Sequence, residues 1–147
     1  MTARNQVMFG PPGHLYVYFV YGMHYCANIV CGEKGSPGAV LLRAVRPVSG
    51  IALMREKRPK MLRDEGLCRG PGNLCRALSI DRGDDGVDLF DRLSAVQLGK
   101  DDLPPPESPA FGTRIGLSRY AGEAQLLRWR SALQGDESVS RPPFRQV

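Results

Sequence analysis

Apolar positions along the chain fall in short alternating runs separated by glycine and proline, and only two stretches follow a helical period. Residues 15–31, "LYVYFVYGMHYCANIVC", form the longest run and read as strand, being rich in aromatic and β-branched side chains. Residues 39–46, "AVLLRAVR", read the same way after the polar loop "GEKGSPG". The segment 49–58, "SGIALMREKR", predicts a helix capped by Ser49, with Ile51, Leu53 and Met54 as a partial stripe. Residues 69–80, "RGPGNLCRALSI", predict a second helix entered through Pro71, with Leu74, Ala77 and Leu78 on one face. Residues 1–14 and the acidic "DRGDDGVDLFD" read as turns. "AVQLG" (95–99) and "TRIGLS" (113–118) read as short strands on either side of a loop, 101–112, that holds four of the twelve prolines. The tail from Arg141 is expected to fray. Strands and helices mix without a βαβ rhythm, which predicts an α+β fold: one compact domain on a largely antiparallel sheet with short helices.

Gly22 interrupts the longest run between two large residues, Tyr21 and Met23. Glycine supplies the positive φ of a tight turn, so the run divides into a hairpin with strands 15–20 and 24–31. Tyr21 and Met23 then occupy the tip, where small polar residues are usual. Exposed apolar groups on a stiff ribbon suit a wedge pushed between base steps of a duplex. With an odd loop, Val20 faces His24, Tyr18 faces Cys26 and Tyr16 faces Asn28. Tyr18 and Asn28 then share one side of the sheet, where an aromatic plane and an amide could read a flat base. A two-residue loop would put them on opposite sides. Tyr-rich strands and methionines are also ordinary core material, so the pattern by itself supports both readings. Arg43, inside "AVLLRAV", either lines a cleft with a partner or snorkels to water from an edge.

The chain has 147 residues, enough for one domain with a real core. Its formal charge of +5 favours anionic partners, with DNA, RNA and membrane surfaces as candidates, but many soluble proteins are equally basic. Four cysteines (Cys26, Cys31, Cys68, Cys75) show no CxxC pair and only two histidines accompany them, which argues against structural zinc. Their apolar surroundings predict reduced core thiols and, with no signal peptide or membrane span legible, a cytoplasmic location.

Four ordered blocks, "RNQVMFGPPGHLYVYFVYGMHYCANIV", "AVLLRAVRP", "RGPGNLCRALSI" and "TRIGLS", resemble the alkyladenine (3-methyladenine) DNA glycosylase family, from about Thr2 to about Ser118. The resemblance implies a curved antiparallel sheet in a compact mixed α/β domain and a role in base-excision repair. Members flip an alkylated or deaminated purine out of duplex DNA and hydrolyse its N-glycosidic bond without a metal or organic cofactor. By the same resemblance Tyr21 is the intercalating residue, Met23 a second tip contact, Tyr18 the ring that stacks on the extruded base, and Asn28 the amide at the pocket floor. Arg43 is then the arginine that helps hold the attacking water. Arg4, Arg69, Arg114 and Arg119 lie near the family blocks and read either as phosphate contacts or as solvated surface charges, and the Gly70-Pro71-Gly72 helix entry either presents amides to a phosphate or serves only as a cap. The implied partner is double-stranded DNA bearing damaged purines, bound by a monomer away from membranes.

The family's catalytic glutamate lies in a "VExEAY"-type strand upstream of the first block, so this chain is expected to lack that segment. Glu33, Glu56, Asp64 and Glu65 read as solvated or salt-bridged surface groups rather than a buried general base. The expectation is a chain that keeps part of the recognition surface, loses most of the rate, and leaves a sheet edge and an apolar face uncovered. A damaged-DNA binder without catalysis and a general polyanion-binding domain are the competing expectations.

Overall fold

The computed structural model describes residues 1–100, 102, 104, 107, 109–117 and 122–139. It is a small α+β domain with a three-stranded antiparallel sheet, two short helices and a two-stranded antiparallel ribbon. The main sheet runs in the order β1 (Leu15–Val20), β2 (His24–Val30), β3 (Ala39–Leu41). Helices α1 (Ile51–Lys57) and α2 (Pro71–Leu78) follow, and β4 (Ala110–Gly112) pairs with β5 (Arg130–Ala132).

Alternation assigns the two sheet faces. Leu15, Val17 and Ala27 are buried together with Leu67, Leu74, Cys75, Ala77, Ile80 and Leu89, so the odd-numbered face looks into the core. Tyr25 and Ile29 pack against the same cluster. The even-numbered face carries Tyr16, Tyr18, Cys26 and Asn28, because Tyr16 pairs with Asn28 and Tyr18 with Cys26. A slip of one residue would bury these polar groups in the core, so the apolar set alone fixes the register.

β1 is an edge strand, and its outward backbone groups are satisfied from nearby turns rather than left bare. Leu15 donates to the Val87 carbonyl (2.8 Å) and accepts from the Gly86 amide (2.7 Å). Val17 donates to the Asp85 carboxylate (2.8 Å) and accepts from Arg82 (2.9 Å), and Phe19 accepts from Arg4 (2.9 Å). The acidic turn 81–87 therefore acts as a cap on the sheet, which corrects the expectation of an uncovered edge. Its own start is closed by a capping box between Asp81 and Asp84.

Several sequence-based boundaries are revised. β3 stops at Leu41: Leu42 still donates to Ala27 (3.0 Å), but Ala44 bridges to Arg69 instead of continuing along β2. Ser49 makes no side-chain cap on α1, since Gly50, in the left-handed region at φ 69°, takes that position. Residues 95–99 form no strand, although Leu98 donates to Leu89 (2.8 Å). The strand expected at 113–118 lies earlier, at Ala110–Gly112, while residue 118 falls outside the described residues. The tail expected to fray and part of the 101–112 loop also lie outside them. Cys26, Cys68 and Cys75 are buried free thiols as expected, but Cys31 is exposed.

Candidate functional site

The hairpin tip has an unusual backbone. Tyr21 (φ 55°) and Gly22 (φ 66°) are both left-handed, and Met23 donates to the Val20 carbonyl (3.2 Å) to close the turn. Two consecutive positive φ angles are what a type I′ turn demands, and a tyrosine in the first is strained by about 1 kcal/mol. The three intervening residues leave Val20 opposite His24, the odd-loop register. Tyr21 is 77% and Met23 69% exposed, so the ribbon ends in two solvated apolar side chains. Phe19 and Tyr25 brace it from the core side, their rings 5.0 Å apart.

Below the tip, the even-numbered face gathers polar groups. Tyr16 and Tyr18 stack with ring centroids 5.4 Å apart and planes 28° from parallel. The Arg4 guanidinium lies 5.7 Å from the Tyr18 centroid. Cys26, buried opposite Tyr18, shares a hydrogen bond with its hydroxyl, and burial first, then this thiol, pushes the Tyr18 phenol up to about 12. Burial also pushes the Cys26 thiol up, against the pull of Tyr18 and Arg43. Asn28 is buried and donates one amide hydrogen across the pair to the Tyr16 carbonyl (3.1 Å), which fixes its orientation. Both Tyr18 and Cys26 are thus neutral at physiological pH, and the face presents ring, amide and thiol rather than anions.

Arg43 enters the same neighbourhood from just beyond β3. Its guanidinium acts on both Cys26 and Tyr18, and donates to the Ile115 carbonyl at 3.5 Å. Burial first, and then the nearby Arg130, lower its pKa. Arg43 therefore finds partners on this face and does not snorkel away to water. Arg130, buried in β5 beside it, was not singled out in the sequence, where it is one of two arginines in "LLRWRSAL". Cys26 could have been found from the register, which already set it across from Tyr18.

The other candidates are placed differently from one another. Arg4 sits at the hairpin, bonded to Phe19 and over Tyr18. Arg69 donates to the Glu137 carbonyl and is partly buried, away from the tip. Arg114 is exposed, and Arg119 lies outside the described residues. Asp64 is ion-paired with Arg55 (2.6 Å) and Glu65 with Arg63 (3.4 Å), as solvated surface groups would be. Among the described residues no carboxylate shifts Tyr18 or Cys26, and no group of His, Cys, Asp and Glu could hold a metal.

Comparison with known proteins bears on the chain as a whole. A 46%-identical relative in Burkholderia lata, named as a 3-methyladenine DNA glycosylase, aligns over 99% of this chain and 68% of its own length. Relatives of the same name in Burkholderia cenocepacia and Mycobacterium tuberculosis are each 46% identical, over 95% of this chain and 65% of theirs. The chain thus spans about two thirds of the length of the curated relatives it matches. The profile of the methylpurine-DNA glycosylase family matches residues 1–137, and with these relatives it establishes that the chain belongs to that family.

Proposed function

We propose that the protein serves base-excision repair as a glycosylase of the 3-methyladenine type, recognising a damaged purine after taking it out of duplex DNA. The observation that carries this reading is the convergence of Tyr18, Cys26, Asn28 and Arg43 on one face of a hairpin whose tip exposes Tyr21 and Met23. In this reading Tyr21 enters the base stack as a wedge, with Met23 beside it, and holds the gap left by the extruded nucleotide. The purine lies on the Tyr18 ring, and the fixed amide of Asn28 contacts its edge. Arg43 holds the water that attacks the sugar carbon as the purine leaves with the bond's electron pair. Activation of that water calls for a base in reach, and we assign it to a carboxylate supplied from outside the residues described. Arg114, being exposed, is the candidate for a phosphate contact, and the binding unit is one copy of the chain.

The test is to incubate the chain with duplexes containing hypoxanthine or an alkylated adenine, and to measure binding and free base separately. Selective binding is the expected result, with base release slow because the activating carboxylate is not among the described residues. A second reading, recognition without cleavage, is favoured by the carboxylates being engaged elsewhere, with Asp85 on Val17, Asp64 on Arg55 and Glu65 on Arg63. Selective binding with no base released establishes that second reading. Equal binding of damaged and undamaged duplex overturns both.

A further inference from the structure

We propose that Arg4 is a positioning residue for base recognition: its guanidinium sets the plane of the Tyr18 ring and ties that ring to the backbone of the finger. The inference rests on the reading of Tyr18 as the surface on which the extruded base stacks. It replaces the phosphate contact that the position of Arg4 in the sequence suggests.

Two contacts made by one side chain carry the argument. Nη2 of Arg4 donates to the Phe19 carbonyl at 2.9 Å, the last outward-facing carbonyl of β1 bonded before the turn. The same guanidinium stands 5.7 Å from the Tyr18 centroid, within cation–π range. Tyr18 is half-buried on an edge strand, where a tyrosine ring keeps rotational freedom unless neighbours remove it. Tyr16 supplies one such neighbour and Arg4 another. A ring already held in its stacking orientation spares the base the entropy of ordering it.

Arg4 is itself delivered by a closed turn. The Thr2 amide and hydroxyl both donate to the Asn5 side-chain oxygen (2.7 and 2.8 Å), and the Asn5 amide donates to the Thr2 carbonyl (3.1 Å). A short 3-10 turn, Gln6–Phe9, then runs against the hairpin. The planar guanidinium can lie over a ring while one edge donates to a carbonyl, a geometry that an ammonium point charge does not reproduce. Arg4 thereby ties the Tyr18 ring to the backbone of the strand that leads into the tip.

The experiment compares fluorescence anisotropy of a hypoxanthine-containing duplex and an undamaged duplex, across a salt series, with the 147-residue chain and its variants. Arg4→Ala is expected to lower the preference for the damaged duplex about threefold to tenfold, the worth of one cation–π contact, with the salt slope unchanged. Arg4→Lys is expected not to restore it. Asn5→Ala, which keeps the charge and opens the delivering turn, is expected to lose the preference in the same way. It also carries the comparison if circular dichroism shows Arg4→Ala unfolded. Equal weakening on both duplexes, a salt slope reduced by about one, and rescue by Arg4→Lys would instead make Arg4 a phosphate contact and overturn the proposal. A wild-type chain with no preference for damage overturns the base-recognition reading itself. Preference retained in Arg4→Ala and in Asn5→Ala overturns this inference alone.

Discussion

At the scale of single residues, the site is built by placing side chains where intrinsic preference would not put them. Tyr21 holds a left-handed backbone that asparagine adopts more readily. Tyr21→Asn is therefore expected to raise the stability of the chain by about 0.5–1 kcal/mol in chemical denaturation while losing the wedge. A drop in stability would mean that the exposed ring packs on something in the free protein. The phenol of Tyr18 gives a second prediction. Its folded pKa of about 12 lies above the ordinary 10.0, so the unfolded chain releases this proton first as pH rises. The contribution of Tyr18 to stability is complete below pH 10.0 and is lost as pH climbs toward about 12. Tyrosinate absorbance should show a late phenol component in the wild type, to which Tyr16 also contributes because burial raises it, and the part lost in Tyr18→Phe identifies Tyr18.

At the scale of elements, what was legible in the sequence was whatever local rules decide. Gly22 between Tyr21 and Met23 announced the turn, and alternation with an odd loop gave the register that brings Tyr18 and Asn28 to one face. What was illegible depended on partners distant along the chain. The apolar run 39–46 reported burial but not pairing: Ala44 bonds to Arg69, and Arg43 turns toward Tyr18 and the 115 carbonyl. The role of the acidic turn was hidden for the same reason, since the Val17 amide that donates to its Asp85 carboxylate is 68 residues away. Asp85→Ala should leave the Val17 amide unsatisfied and cost about 1–3 kcal/mol in a urea titration, with Asp85→Asn recovering much of it. Light scattering should rise in the alanine variant as the bared edge finds other edges. An unchanged midpoint would show the cap to be incidental.

At the scale of the whole molecule, two kinds of adhesion hold the parts together. The main sheet and α2 share the apolar cluster, whereas the ribbon and the turn after it are joined to the body through arginines. Arg46 pairs with Asp136, Arg63 with Glu137 (2.6 Å), Arg69 with the Glu137 carbonyl, and Arg43 with the Ile115 carbonyl. The Ser138 amide first, and then Arg46, hold the Asp136 carboxyl below its ordinary 3.8. Its folded pKa is depressed, so the stability it lends is present above that ordinary value and is lost as pH falls through the folded one. Hydrogen-exchange protection, referred to the intrinsic rate at each pH, should therefore fall across 110–117 and 122–139 in acid and in strong salt before it falls across β1 and β2. Uniform loss of protection would contradict the distinction. Thiol chemistry offers an independent check on the same body: a native-state thiol reagent should label Cys31 promptly and spare Cys26, Cys68 and Cys75 until unfolding.

The central claim is that the Tyr21 finger drives one nucleotide out of the stack toward Tyr18 and Asn28, and it is tested most directly by fluorescence of an adenine analogue beside a hypoxanthine in duplex DNA. Stacked, the analogue is quenched; beside an extruded base it brightens. The account predicts brightening with the wild-type chain at saturating concentration, and none with Tyr21→Ala at matched occupancy. Saturated binding by the wild type with the analogue still quenched would contradict it.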